Sequence, residues 1–366
     1  MGRSLLSGNG VSSRRQMGDG GRDAGKEPGR YLKETIEAQP AEARRLLADV
    51  PRAGQRLRGA GRVFVVGTGT SFHGALVGQY LLRSAGLDAW AVPAFEFACY
   101  PPRLTAEDGV VLLSHRGTKR FSQAALDLAR QVTERRVVIT GEGSPIEGPE
   151  VVRTVAQERS PVHTASHVGA MIRLAQLAAA LGDTPPTWAR QLDRLPAAIE
   201  AAVGLRDRAA AAVATLDLDH AIHFVGGGPA RATALEGALK IREAAYVAAE
   251  GHELESILHG PLVGLQPRQS AVLIAQPGPG LERTREVAAA LAEIGLTTVA
   301  AGPAAASVPA TVRIETPLLD EPLAPIVNVI PLQWLAHEAS RRRNVDADSF
   351  RRDVPAYAAA QRRFTL

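Results

Sequence analysis

In the segment ALEGALKIREAAYVAAEGHELESILHGPL, Glu236, Lys240 and Glu243 follow one another at spacings of four and three. On a helix from Ala234 to about Val247, that spacing puts a carboxylate, an ammonium and a second carboxylate on one face. A solvated, salt-bridged face would show the same pattern. The flanking Ala, Leu and Ile residues belong instead to a packed helix, and the segment closes on His-Gly-Pro, a turn that holds His259 on a fixed backbone. A buried Glu has a raised pKa unless it is paired, which suits a proton shuttle near neutral pH.

Two polar turns supply a second kind of chemistry. Gly67-Thr68-Gly69-Thr70-Ser71 ends an apolar run and opens a helix, so its N–H groups and hydroxyls can face an anion with the helix dipole behind them. It lacks the GxGxxG spacing of a dinucleotide turn, and alone it also fits a tight turn capped by Thr and Ser. Ser114-His115-Arg116-Gly117-Thr118-Lys119 repeats the arrangement after the run GVVLL. Two such turns on one sheet edge make a pocket at the topological switch point. The chain holds only four lysines, Lys26, Lys33, Lys119 and Lys240, against a large excess of arginine, which marks Lys119 and Lys240 as places where arginine cannot substitute. The segment from Glu158 to His167, with His163 and Thr164, adds hydroxyls and imidazoles suited to lining a sugar.

The elements that must carry these turns alternate. Strand-type runs at RVFVVG, Ala89 to Val92, Gly109 to Ser114 and Arg135 to Thr140 are separated by helical segments such as FSQAALDLARQV. That order implies an α/β fold with a parallel, doubly wound sheet. A further helix starts at Tyr31, with Pro40 expected to break or restart it. After TPPTW and an alanine-rich stretch to about Thr215, the pattern returns as HAIHFVGGGPARATALEGALKI, SAVLIAQPGPG and TTVAAG. Gly67 and Gly226 are 226 − 67 = 159 apart, and Val110 and Val272 are 272 − 110 = 162 apart, so two copies of one unit account for the chain. Only the first copy has hydroxyls and a lysine at its second turn, because the other offers AQPGPG.

Composition agrees with this organisation. The 366 residues are 45% apolar and 22% charged, enough for proper cores, and Cys99 alone can make no internal disulfide. No apolar stretch reaches the roughly 18 to 20 residues of a membrane span, and the N-terminus lacks a signal peptide's apolar core, so a cytoplasmic protein is expected. The net charge of +4 is spread over scattered arginines, without nucleic-acid-binding spacings. Residues 1–29 read as a disordered tail, 30–190 as a helix and first domain, 191–340 as a linker helix and second domain, and 341–366 as a C-terminal tail.

VVGTGTS, SHRGT, ALEGALKIRE and HGPL, with sixteen residues from Glu243 to His259, resemble the sugar isomerase (SIS) domain family over about residues 30 to 345. The likeness is to its tandem members, which include the isomerase half of glucosamine-6-phosphate synthase and amino-sugar-phosphate deaminases and deglycases. It implies two flavodoxin-like domains related by pseudo-symmetry. It implies that Ser114, His115, Gly117, Thr118 and Lys119 hold the substrate phosphate, helped by Gly69, Thr70 and Ser71. By the same resemblance Glu243 moves a proton between the first two sugar carbons. His259 opens the ring or donates a proton, reaching the site from a partner subunit in a homodimer, and Lys240 stabilises developing negative charge.

There are departures from the family pattern. SHRGTK replaces an SxSGET-like turn, and no lysine follows Lys240 to form an imine with an open-chain ketose. With a polar tail in place of a glutaminase domain, the chain is expected not to draw ammonia from glutamine. The expected function is therefore isomerisation, deamination or deglycation of a sugar or amino-sugar phosphate. No metal, organic cofactor, nucleic acid or membrane is involved in this reading. The alternative is a non-catalytic sugar-phosphate sensor, which needs the phosphate turn but no proton shuttle.

Overall fold

A computed structural model describes residues 27–181 and 184–365. Most of the expected N-terminal tail, residues 1–26, lies outside these. The first unit runs β1 (Val63–Gly67), α2 (Thr70–Ser84), β2 (Ala89–Pro93), α3 (Ala94–Cys99), β3 (Gly109–Leu113), α4 (Arg120–Val132), β4 (Arg136–Thr140), β5 (Val151–Arg153) and α5 (Ala165–Ala179), behind a leading helix α1 (Arg30–Leu47). Helices α6 (Leu195–Val203) and α7 (Arg206–Thr215) lead to the second unit. It comprises β6 (Ile222–Gly226), α8 (Pro229–Ala245), β7 (Ala249–Glu253), α9 (Pro261–Gly264), β8 (Ser270–Ile274), α10 (Leu281–Ile294), β9 (Thr297–Ala301), β10 (Val312–Ile314) and α11 (Ala324–Arg342). A short α12 (Pro355–Gln361) follows.

Each unit is a five-stranded, all-parallel sheet, ordered β2-β1-β3-β4-β5 and, in the same sense, β7-β6-β8-β9-β10. The fold is thus α/β with two tandem doubly wound domains. Strand pairing places Phe64 against Val110 and His223 against Ala271. The structural counterpart of Val110 is therefore Ala271, one residue short of the Val272 matched by sequence.

Continuous apolar strands arise because both sheet faces are covered. In β1, Val63 and Val65 face a core shared by both domains through α1, α2, α5, α8 and α11, whereas Phe64 and Val66 face a separate outer core with Ala94, Phe97 and Leu126. The second sheet repeats this, with Ile222 and Phe224 inward and Val225 outward. No helix among the described residues is long and apolar enough to cross a membrane.

Two expectations need correction. Helix α1 passes through Pro40 without a break. The Ile36 carbonyl, which loses its partner because proline has no N–H, accepts a bond from Gln39 Nε2 at 3.1 Å. The expected C-terminal tail is also tied to the rest of the chain among its described residues, 341–365. Asp346 accepts from the Gly29 N–H at 2.9 Å and Asp348 from the Tyr31 and Leu32 N–H groups at 2.8 and 3.1 Å, which caps α1 from the far end of the chain.

Candidate active site

The N-terminus of α2, the β3–α4 turn, the N-terminus of α5 and one face of α8 surround a cavity of about 350 Å³. It opens at the carboxyl edge of the first sheet, where parallel α/β sheets bind ligands. Thr68, Gly69, Thr70, Ser71, Ser114, His115, Arg116, Lys119, His163, His167 and Glu243 are among its lining residues.

At one end lies the expected phosphate turn. Ser114 Oγ and both ring nitrogens of His115 are buried without a protein partner, a state that is rare unless a ligand or water completes it. Lys119 is half-buried, and burial together with Arg116 and Arg352 lowers its pKa. Gly117 holds the turn at φ +70°, and its carbonyl accepts from Gln123. Gly117 and Thr118 shape the turn without lining the cavity: Gly117 is buried, and the Thr118 side chain is exposed.

At the other end, α8 presents the carboxylate-ammonium-carboxylate face predicted from spacing. Lys240 is 1% exposed, and its ammonium contacts Glu243 Oε2 at 2.5 Å, Glu236 Oε1 at 3.3 Å and Thr70 Oγ1 at 3.2 Å. All three of its donors are used, and it does not line the cavity. Burial lowers the Lys240 pKa, but Glu236 and Glu243 outweigh it and hold the ammonium above its ordinary value. Glu236 is equally buried, bonded to His73 Nδ1 at 2.6 Å and to the Thr70 hydroxyl at 3.1 Å. Burial would raise its carboxyl, yet Lys240, His167 and His73 keep it far below the carboxylate range. Glu243 alone of the three reaches the cavity, with its side chain 18% exposed.

Between the ends stand His163 and His167. Burial depresses the His167 pKa to about 4, so its imidazole is neutral at pH 7, and its Nδ1 has no partner. Thr164 turns away from the cavity: its hydroxyl donates to Thr35 Oγ1 at 2.8 Å, and its N–H donates to Glu158 at 3.0 Å. Glu158 also accepts from the Ser166 N–H at 2.9 Å, so it caps α5. His259 is not brought to the cavity within one chain. It is 71% exposed and bonded to Glu255 at 2.9 Å.

Sequence reasoning placed no role on His73 or the C-terminal residues, and took His167 only as part of a polar segment suited to lining a sugar. His73 follows Thr70 by three on α2, a spacing that faces α8, and His167 stands in the imidazole-rich segment already singled out. Phe350 and Arg352 line the cavity because the Tyr246 hydroxyl, at the end of α8, donates to the Asp346 carbonyl at 2.9 Å and accepts from the Arg351 N–H at 3.0 Å. No local pattern signals that tie.

The second domain keeps the backbone of the first site without its chemistry. Gly228 adopts φ 55°, ψ −133° before α8, almost the φ 56°, ψ −128° of Gly69 before α2. Over this second turn lies the half-buried carboxyl of Glu321. A Cβ built on Gly278, the counterpart of Gly117, would meet its carboxyl carbon at 3.1 Å, and burial raises the Glu321 pKa.

Residues 56–180 match the SIS domain. A glutamine–fructose-6-phosphate aminotransferase (isomerizing) from Gloeobacter violaceus is 32% identical over 306 residues, covering 78% of this chain and 50% of its own length. The corresponding protein of Methanothermobacter thermautotrophicus is 30% identical over 298 residues, with 78% and 50% covered. The chain thus spans about half the length of these curated relatives. Among solved structures, the C-terminal domain of glucosamine-fructose-6-phosphate aminotransferase from Francisella tularensis superposes with a TM-score of 0.78 at 20% identity, covering 88% of this chain and 99% of that one. A glucosamine-6-phosphate deaminase from Thermotoga maritima gives 0.71 at 20% identity, with 87% and 97% covered. At such identities these two likenesses concern the fold.

Proposed function

From a chain that belongs to the SIS domain family, we propose an enzyme that transfers a proton between adjacent carbons of a phosphorylated sugar or amino sugar. The observation that carries this reading is Glu243, a carboxylate on the cavity wall fixed by a buried ammonium 2.5 Å away. Facing it across the cavity are the unpartnered Ser114 and His115 side chains and the cationic Lys119. A phosphate held at that turn anchors one end of an open-chain sugar, and the carbon next to its carbonyl reaches Glu243.

In this reading Glu243 takes the proton from that carbon, the bonding pair moves toward the carbonyl oxygen, and that oxygen takes the proton of the neighbouring hydroxyl, leaving an enediolate. Returning the proton to the former carbonyl carbon gives the isomer. With an amino substituent the same transfer yields an imine, which water hydrolyses to release the amine. Lys240 is a positioning residue, since its donors are consumed by Glu236, Glu243 and Thr70 and it cannot touch substrate. In this reading general acid/base groups carry the reaction, and Phe350 and Arg352, which the C-terminal segment brings to the cavity, offer no amine for an imine. His259 serves the neighbouring site in a homodimer, as acid or ring-opening group.

The test is incubation with glucosamine 6-phosphate, fructose 6-phosphate and fructosyl-amino-acid 6-phosphates while ammonia, free amino acid and sugar phosphate are followed together. Turnover that disappears in Glu243→Gln fixes the reaction class and the base. Tight binding without turnover of any of them would sink the enzyme reading in favour of a sensor.

A further inference from the structure

We propose that His115, Glu158 and His163 form a divalent-cation site of zinc type in the cavity wall, with one coordination position open to the cavity. One ligand atom from each residue lies within 4.8 Å of the other two. The residues come from the β3–α4 turn and the loop before α5, so the grouping exists only in the folded chain. The two imidazoles meet edge to face, with centroids 5.3 Å apart.

Two further observations fit a metal. Both ring nitrogens of His115 are sealed from solvent and make no hydrogen bond. The residue is held by its backbone instead, its carbonyl accepting from the Gly141 N–H at 2.9 Å and Gln157 Nε2 at 3.0 Å. Glu158 is aimed by the Thr164 and Ser166 N–H groups, the outer-shell support typical of a ligating carboxylate.

Two imidazoles and a carboxylate are the donor set of hydrolytic zinc sites, in which the fourth position takes water or substrate. Zinc bonds of roughly 2.0–2.2 Å need the donors to converge by about 1 Å, within reach of side-chain rotation. Because His115 and His163 line the cavity, the open position faces an incoming hydroxyl or phosphate oxygen. Arg116, whose charge is felt at His115, opposes the cation and makes the site weaker than a structural zinc centre. A second grouping, His223, Glu250 and His252, has similar spacing, but both His223 nitrogens are already bonded, to His252 at 3.1 Å and to Gln269 at 3.2 Å, whereas His163 Nδ1 lies 3.5 Å from Ser166 Oγ and both His115 nitrogens are without a partner.

The site is tested by binding alone, independently of whether Glu243 is a base. Chelator-treated full-length protein is titrated with Co²⁺ and followed by visible d–d absorption, then with Zn²⁺ in competition. The expected result is one Co²⁺ per chain with a low-symmetry spectrum displaced by Zn²⁺. Affinity should fall at least about 100-fold in both His115→Ala and His163→Ala, each with unchanged circular dichroism, and stay unchanged in His223→Ala. Absence of saturable Co²⁺ or Zn²⁺ binding below about 1 mM overturns the assignment, as does binding lost in His223→Ala but kept in His115→Ala.

Discussion

Glu243 and Lys240 are three residues apart on α8, yet a substitution at each should report differently. Glu243→Gln keeps shape and removes the base, so turnover should drop by about 10²- to 10⁴-fold with little change in KM. An unchanged kcat would exclude Glu243 as the proton carrier. Lys240→Met leaves Glu236 buried without its ammonium, a loss of about 3–5 kcal/mol in urea unfolding, together with lower kcat. The histidines give a pH signature. His115 and His167 titrate at about 4 when folded, against 6.5 unfolded. Between those values the unfolded chain binds more protons, so stability is full above about pH 6.5 and lost as pH falls toward 4, by up to about 3 kcal/mol for each. His167→Gln should remove roughly half of that slope in unfolding midpoints measured from pH 7 to 4, and an unaltered slope would contradict a neutral buried imidazole. The Glu236, Lys240 and Glu243 face could be found from spacing because helix periodicity is local. His73 could not be assigned, nor His167 beyond its polar segment, because their meaning depends on α2 and α5 packing beside α8.

At the scale of elements, the turn Ser114 to Lys119 depends on Gly117. Its φ of +70° disfavours a side chain by about 1–2 kcal/mol, and a Cβ there would collide with Ser144 Oγ. Gly117→Ala should therefore lower the thermal midpoint and weaken sugar-phosphate binding together. A variant with lower stability but undiminished affinity would separate the turn from the ligand. Strands were readable because both faces of a parallel sheet are buried, which leaves short apolar runs between amphipathic helices. Pro40 misled because the compensation for its missing N–H comes from the preceding side chain, Gln39. The C-terminal segment misled for a different reason: arginine-rich composition resembles a tail, and the bonds from Asp346, Asp348 and Tyr246 connect residues hundreds apart or on another element.

At the scale of the molecule, His259 stands outside the cavity that contains Glu243, and Val263 beside it is 89% exposed. A homodimer that delivers His259 across its interface makes a specific forecast. Mixed dimers of inactive Glu243→Gln and His259→Ala chains should regain up to about half of one site pair's turnover, since one of two sites is then intact. No recovery on mixing, with exchange confirmed by mass, would show that each chain uses its own histidine. The tandem repeat was visible from the sequence, but the carboxyl of Glu321 over the second turn was not, because it arrives from a loop more than 40 residues downstream of Gly278. Its presence bears on how many molecules one chain can hold. A negative charge and its side-chain atoms already occupy the region over the second turn that corresponds to the phosphate region of the first, so like charge is repelled there. Calorimetric titration with a sugar phosphate should accordingly saturate at one equivalent per chain despite the duplicated architecture, and Glu321→Gly is the substitution expected to expose a second, weaker anion-binding event.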